Sequence, residues 1–416
     1  MMRFKLTILI FSLTSLIGQP LFAFELFSGR SVAMGGAYTQ IGRGVESVFW
    51  NPANLGFSKG SEKSLMLFSV GVNAYNNSLN LKQYNQYNGK FLTSEDKQTI
   101  LDLIPSKGFN LSMDADVLAF GISWGNFAFT VSGSGTSDLL FPKDPIHVLF
   151  FGNEINDTIL LSDSHGEAFA SVDIGFSYGK SVWKKDKKEI LCGINARYMH
   201  GLVYQKVKQA QGEIFALETG VNGDGDFAVQ SAEGGKGCGL DFGLALEYND
   251  NWTFGLSFIN LINQIKWGEK TEKRGYQVQI DSLLAENFDL DSLVIEDSYT
   301  EEIDPFTTRI PTLMHVGVAY QGKRLLWAFD VKHGFKEGMG ISRKLRASLG
   351  AEYEPLGWLD VRGGLSIGGN EGVTVANGVG FNLGAYHLDL GIAMQKGLWP
   401  TRSKGINLAI SNGFHF

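Results

Sequence analysis

The chain has 416 residues, a formal net charge of −7, 52 glycines, 30 phenylalanines and a mean hydropathy of −0.02. So acidic a chain offers no basic patch for nucleic acid, which is excluded as a partner. Abundant glycine and aromatics at near-zero hydropathy fit a wall with one apolar and one polar face better than a soluble core.

At the start, Arg3 and Lys5 precede an apolar run over 6–17, and Leu21-Phe22-Ala23 ends in a small residue. Residues 1–23 therefore read as a cleaved export signal. Its removal takes away two basic groups and no acidic one, so −7 becomes −9. The run is too short to cross a bilayer as a helix, and no later segment approaches about 20 apolar residues. A helical membrane protein is excluded.

Next comes MGGAYTQIGRGVESVFWNPANLGF, residues 34–57, with neither helical period nor strand alternation. It reads as a folded plug or strap, and 24–60 is assigned to it. MGGAYT, a spacer and WNPANL resemble the N-terminal region of FadL-type outer-membrane proteins, the long-chain fatty-acid transporters. They are also similar to the start of PorV/PorQ-type barrels. The resemblance implies a hatch in a barrel lumen, formed around Met34, Gly35, Gly36, Trp50, Asn51, Pro52, Ala53 and Asn54. It further implies an outer-membrane location in a diderm bacterium and passive uptake of hydrophobic small molecules such as long-chain fatty acids. The alternative it leaves open is a non-conducting barrel whose outer loops hold secreted proteins.

From about residue 63 the chain alternates in period two, as antiparallel strands do. After a first strand near 63, further strands fall near 109–124, 126–137, 167–183, 189–206, 237–249, 251–266, 310–321, 324–336, 344–354, 357–369, 372–382, 385–396 and 405–416. A capped stretch ending at Pro105 predicts a short helix in the first excursion. Connections after even strands are short, whereas 75–108, 138–166, 207–236 and 267–309 follow odd strands. Short turns at one end and long loops at the other mark an outer-membrane barrel. The expected fold is all-β: an antiparallel transmembrane barrel of about 14 strands over 61–416, with the hatch inside.

Alternation also assigns faces. Val172, Ile174, Phe176 and Tyr178 share one face; Ser171, Asp173, Gly175 and Ser177 share the other. A charge facing lipid at mid-depth costs about 2–4 kcal/mol, so polar faces turn inward. The lumen thus receives Arg197, Asp241, Glu247, Asp330, Lys332, Arg346, Glu352, Asp360, Arg362, His387 and Asp389, read as ion pairs bracing wall and hatch. The third strand carries Val131-Ser132-Gly133-Ser134-Gly135, where glycines predict a bulge or bend. In the FadL-type family a kink in that strand opens a lateral gap.

Enzymatic chemistry is not expected. Gly364-Leu365-Ser366-Ile367-Gly368 matches G-x-S-x-G, but it lies inside an alternating strand and not at a strand-to-helix elbow. Seven histidines show no metal-ligand spacing, and no cofactor is called for. Asn222 to Asp226 resemble the start of a calcium loop, but Phe227 stands where glycine is required; an exposed hairpin tip is expected. Cys192 and Cys238 fall too far apart along their strands to bridge. The candidate ligand-capture residues are Ile100, Leu101, Leu103 and Ile104 in the first excursion and Ile146, Val148, Leu149, Phe150 and Phe151 in the second, meeting as an apolar groove. The acidic stretch 267–309 is the candidate docking surface for secreted proteins.

Overall fold

Each strand that alternates finds an antiparallel neighbour, and the last one returns to the first. A computed structural model describes residues 27–57, 63–151, 158–160, 164–217, 220–283 and 294–416. The signal 1–23 and the ends of the hatch assignment, 24–26 and 58–60, lie outside the described residues.

In chain order the strands are β1 (Lys63–Asn76), β2 (Phe109–Trp124), β3 (Phe127–Phe141), β4 (Thr158–Leu160), β5 (His165–Lys185) and β6 (Lys188–Leu217). There follow β7 (Gly220–Glu247), β8 (Trp252–Trp267), β9 (Glu269–Leu283), β10 (Val294–Glu302), β11 (Phe306–Thr308) and β12 (Leu313–Gln321). The last six are β13 (Leu325–Gly334), β14 (Arg346–Leu356), β15 (Leu359–Gly368), β16 (Thr374–Leu383), β17 (Tyr386–Gln395) and β18 (Gly405–His415). All but β4, β9, β10 and β11 form a closed ring of 14 strands, sealed where β1 pairs with β18 from Ser64↔His415 to Tyr75↔Gly405. Closure leaves no edge, as a wall in lipid requires.

The apolar phase faces out. Ile174, Phe176, Ile194 and Tyr198 are exposed, while Ser171, Asp173, Ser177 and Asn195 are buried in the interior. Every lumenal position expected from alternation lies on the inward phase, from fully buried Asp241 and Arg362 to half-buried Glu247 near the turn end.

Beyond the ring, β6 and β7 continue as one ladder to Leu217↔Gly220, and β9 and β10 extend it. β4 borders the other side. The described parts of 207–236, expected as a loop, are therefore strand, and 267–309, also expected as a loop, holds β9, β10 and β11. The β6–β7 ladder rises roughly 50 Å past the end of β8 at about 3.3 Å per residue. Asn222 to Asp226 lie in β7 and pair with Phe215 to Gln211 of β6, so the hairpin tip expected there is strand instead. Outside lipid no face need be apolar, and strand pairing is joined by polar contacts such as Gln209 Nε2 to Asp226 (2.7 Å) and Ser231 Oγ to Glu272 (3.3 Å).

Both cysteines are free. Cys192 lies opposite Leu244 and Cys238 opposite Tyr198, six residues further along β6. That step is about 20 Å, far beyond disulfide reach.

Candidate functional site

Residues 27–57 lie inside the ring. Ser28 caps the helix Gly29–Ala33 in a reciprocal box with Ser31. Positive φ at Gly35 (66°) and Gly36 (82°) then turns the chain sharply. The Tyr38 and Thr39 amides both donate to Asp330 Oδ2 at 2.7 Å, fixing this turn to β13. The WNPAN run explains itself by its bonds. Asn51 Oδ1 accepts from Ala53 N at 3.1 Å, while its Nδ2 donates to Leu244 O of β7 at 3.0 Å. Asn54 Nδ2 bridges Thr39 O (2.9 Å) and Gly42 O (3.1 Å), tying the end of the segment to its beginning.

The wall is stripped of side chains where this segment touches it. A Cβ on Gly350 or Gly364 would strike Met34, one on Gly193 or Gly243 the Asn51-Pro52-Ala53 turn, and one on Gly391 the Gly29 carbonyl. Much of the glycine excess is thus the imprint of the inner segment on the wall. Gly364 of the G-x-S-x-G run belongs to that imprint, inside β15.

Two charge networks brace the lumen. Arg30 makes paired 2.8 Å bonds to Glu352 of β14, and Arg362 reaches Glu352 (2.6 Å), Asp389 (2.5 Å) and Asp360 (3.1 Å). Arg197 joins Asp173 and Asp241, each at 3.0 Å, and Asn260 at 2.5 Å. Arg346 pairs with Glu371 at 2.9 Å, whereas His387 stacks on His415 with centroids 4.3 Å apart. Together with Lys332, Arg346 and Glu371 line a cavity of about 50 Å³ above the inner segment. A second one, also about 50 Å³, lies beyond it and is lined by Asp114, Thr136, Met339 and Gly340. Each has room for a few waters and no more.

Above these polar layers, on the loop side, the inward phase turns apolar. Phe169, Met199, Tyr204, Ile259, Ile265, Trp267, Ile310 and Leu313 form one buried group, with Phe306 packed against it. Trp267 meets Phe169 edge-on at 6.1 Å and Tyr204 at 5.8 Å, and its Nε1 donates to Thr308 at 2.9 Å. Gly201 and Gly235 make room for the indole; a Cβ on either would overlap it. Alternation carries a readable sign of this site: Phe169 and Met199 are apolar residues in phase with Asp173 and Arg197.

The same group borders an interruption in the wall. β8 pairs with β12 only up to Ile259↔Leu313 and with β11 from Ile265↔Thr308. Between them Asn260 adopts φ 57°, and against β7 three residues of β8 bulge opposite Asp241. Asn263 replaces the missing ladder, donating to Ile310 O (2.8 Å) and accepting from Ile310 N (2.7 Å). Thr312 Oγ1 donates to Asn260 O at 3.0 Å. The bend expected in β3 is not a break: β3 pairs with β5 in unbroken register, and the one bulge on its other side falls in β2 between Leu118 and Phe120. The glycines there relax packing without removing ladder bonds.

The two proposed capture segments do meet. They form helices Ser94–Leu103 and Lys143–Phe151, joined by Lys97 Nζ donating to Phe150 O (2.6 Å) and Lys143 Nζ to Ile104 O (3.1 Å). Ile100, Leu101 and Ile104 are buried, Leu103, Ile146, Val148 and Phe150 half-buried, and only Leu149 and Phe151 exposed. Most of this apolar surface is therefore spent on packing. At the helix start the Lys90 ammonium, with Thr93, holds the Asp96 carboxyl below its usual range.

A family model described as a family of unknown function (DUF5723) matches residues 52–230 and 210–393. No protein of curated function matches the chain. Among solved structures, the Pseudomonas putida toluene transporter TodX superposes with a TM-score of 0.53 at 14% identity, covering 95% of this chain and 99% of that one. A Pseudomonas aeruginosa FadL homologue gives 0.53 at 11% identity over 95% and 99%, and the CymD monoaromatic hydrocarbon channel 0.52 at 12% over 95% and 99%. At these identities the likeness shows a shared fold.

Proposed function

We propose that this chain, which belongs to the DUF5723 family of unknown function, is an outer-membrane barrel for passive uptake of uncharged hydrophobic small molecules. One observation carries the reading: an aromatic seat inside a plugged, closed wall, set against the interrupted β8–β12 pairing. Trp267, Phe169 and Tyr204 give a flat apolar molecule ring faces and edges. The cation bonded into this group, Lys206, is already matched by Glu167 at 3.0 Å, which favours uncharged ligands over carboxylates. Residues 27–57 act as the plug, and a ligand leaves sideways through the β8–β12 interruption, parting the Asn263–Ile310 bonds and passing outward Leu261 and Ile262, into lipid. The neighbours named for toluene and monoaromatic hydrocarbons agree with this class.

Uptake of labelled toluene by cells displaying the barrel tests it. Wild type is expected to exceed barrel-free cells, and Trp267→Ala to lower the rate about tenfold, the size of one lost aromatic contact. A folded-band control on gels excludes misfolding. No excess over barrel-free cells would sink the reading.

A second reading, the docking barrel for secreted proteins, is favoured by the projecting ladder. Residues 267–308, the segment that supplies β9 and β10, hold eleven acidic and three basic side chains, a net −8 against −7 for the whole chain. Shortening β9 and β10 is expected under that reading to abolish retention of a specific secreted protein while toluene uptake stays unchanged. Failure to enrich any secreted protein counts against it.

A further inference from the structure

The loop 335–345 between β13 and β14 does not point outward; it folds into the lumen. Its base is held by Gly334 N donating to Ser342 O (3.1 Å) and Arg343 N to Glu337 (3.0 Å). Its tip is a two-residue turn closed by Gly338 and Ile341, which exchange amide bonds of 3.1 and 3.0 Å. The tip crosses to the far side of the ring. There Met339 N donates to Glu167 of β5 at 3.1 Å, and Gly340 lies against Thr136 of β3.

Both central residues of the turn have positive φ, 47° at Met339 and 76° at Gly340. Asn or Gly is the ordinary choice for such a position; methionine there is strained. What holds it is its burial: the residue is 6% exposed and its side chain joins the group of Phe169, Met199, Tyr204, Trp267 and Ile341. The backbone thus gives up comfort to press a flexible apolar group into the aromatic seat. The free space beneath is about 50 Å³, whereas a benzene-sized guest takes a cavity of roughly 150 Å³. No such guest fits in that space while the tip is in place.

We propose that the seat of Met339 and Ile341 is the ligand site itself, the tip serving as an internal stand-in that an uncharged, one-ring-sized apolar molecule displaces. This rests on the uptake reading above and adds its site and its entrance. Release keeps Glu167 paired through Oε1, which holds Lys206 (3.0 Å) and Tyr204 (3.3 Å), while its Oε2 gives up the Met339 N bond. It also frees Met339 from its strained conformation. The displaced loop opens the lumen from the loop side, so entry and binding are one event.

The test is a reversible lock. In the full chain carrying Cys192→Ser and Cys238→Ser, a Cβ at Gly340 would stand 3.3 Å from Thr136 Cβ, close to disulfide range. Gly340→Cys with Thr136→Cys is expected, once oxidised, to lower labelled toluene uptake at least tenfold, with recovery on reduction. Equal uptake by the oxidised and reduced forms would overturn the proposal while leaving the uptake reading intact. No uptake by the cysteine-free parent, with none by wild type, would overturn both. In a second measurement, Met339→Ala, which keeps the strained turn but withdraws the side chain that holds the tip in the seat, is expected to bind toluene several-fold more tightly in calorimetry. Unchanged or weaker binding would make Met339 an ordinary packing residue and overturn the proposal.

Discussion

Replacing Arg362 by methionine is expected to destabilise the barrel by about 3–5 kcal/mol, the cost of stranding buried charge. The Arg362 side chain is 3% exposed and contacts Glu352, Asp360 and Asp389. With Arg30 the network holds two cations against three carboxylates. Without Arg362 a single cation remains, and Asp389 and Asp360 lose their charged partner in a region water reaches poorly. Among the described residues, Asp360 retains only the Asn382 amide, at 2.9 Å. The damage spreads to the plug, because Glu352 then serves Arg30 alone and is drawn away from its position between the two. The folded band on heated gels should vanish at a markedly lower temperature in Arg362→Met. Adding Asp389→Asn should restore part of the loss, since it removes one stranded charge; a coupled pair is non-additive in this direction. Additive losses would mean that the network does not act as a unit.

How much of this was legible in the sequence follows from where the bilayer constrains the chain. Within the membrane each inward or outward step has an energetic consequence, so Ser171, Asp173 and Ser177 against Ile174 and Phe176 gave away both strand and face. The same alternation placed Arg197, Asp241, Arg362 and Asp389 in the lumen, though not their partners. Beyond the membrane that constraint lapses. Gln209, Gly212 and Glu213 pair with Ala228, Gly225 and Asp224, polar and small on both faces, so a long ladder read as a loop. The wall break was likewise hidden, because Asn263 does with a side chain what a strand does with its backbone. Sequence marks it only as Asn260 and Asn263 in an apolar strand facing Ile310-Pro311. The inward loop was least legible. Gly338 and Gly340 announce a turn, but nothing local says that Met339 will point into the barrel and not out of it. Finally, the two segments proposed to capture ligand do meet, through Lys97 and Lys143, but most of their apolar side chains are buried or half-buried, and the aromatic group lies on apolar residues in the polar phase.

Replacing Gly391 by valine should unseat the plug, while the same change at Gly357 should not. Helix Gly29–Ala33 rests on Gly391 of β17 and Gly378 of β16, which pair with each other. A Cβ at Gly391 would overlap the Gly29 carbonyl and stand 3.0 Å from Ala33 N. Both neighbours are backbone, so no rotamer change relieves the clash. Overpacking of this kind costs about 1–3 kcal/mol where side chains can adjust, and here the helix itself must lift. Lifting it also pulls Arg30 from Glu352, which adds a stranded ion pair to the steric cost and makes the effect cooperative. Gly357 lies in a turn, where its nearest neighbour is Glu354 Oε1 at 3.8 Å and a side chain has room. Protease cleavage within residues 27–57 and ion conductance in planar bilayers both report seating. Gly391→Val is expected to be cleaved and to conduct in large steps, with Gly357→Val resembling wild type. If Gly391→Val stays protected and closed, the glycine floor is not what seats the plug, and the glycine excess of this chain requires another cause.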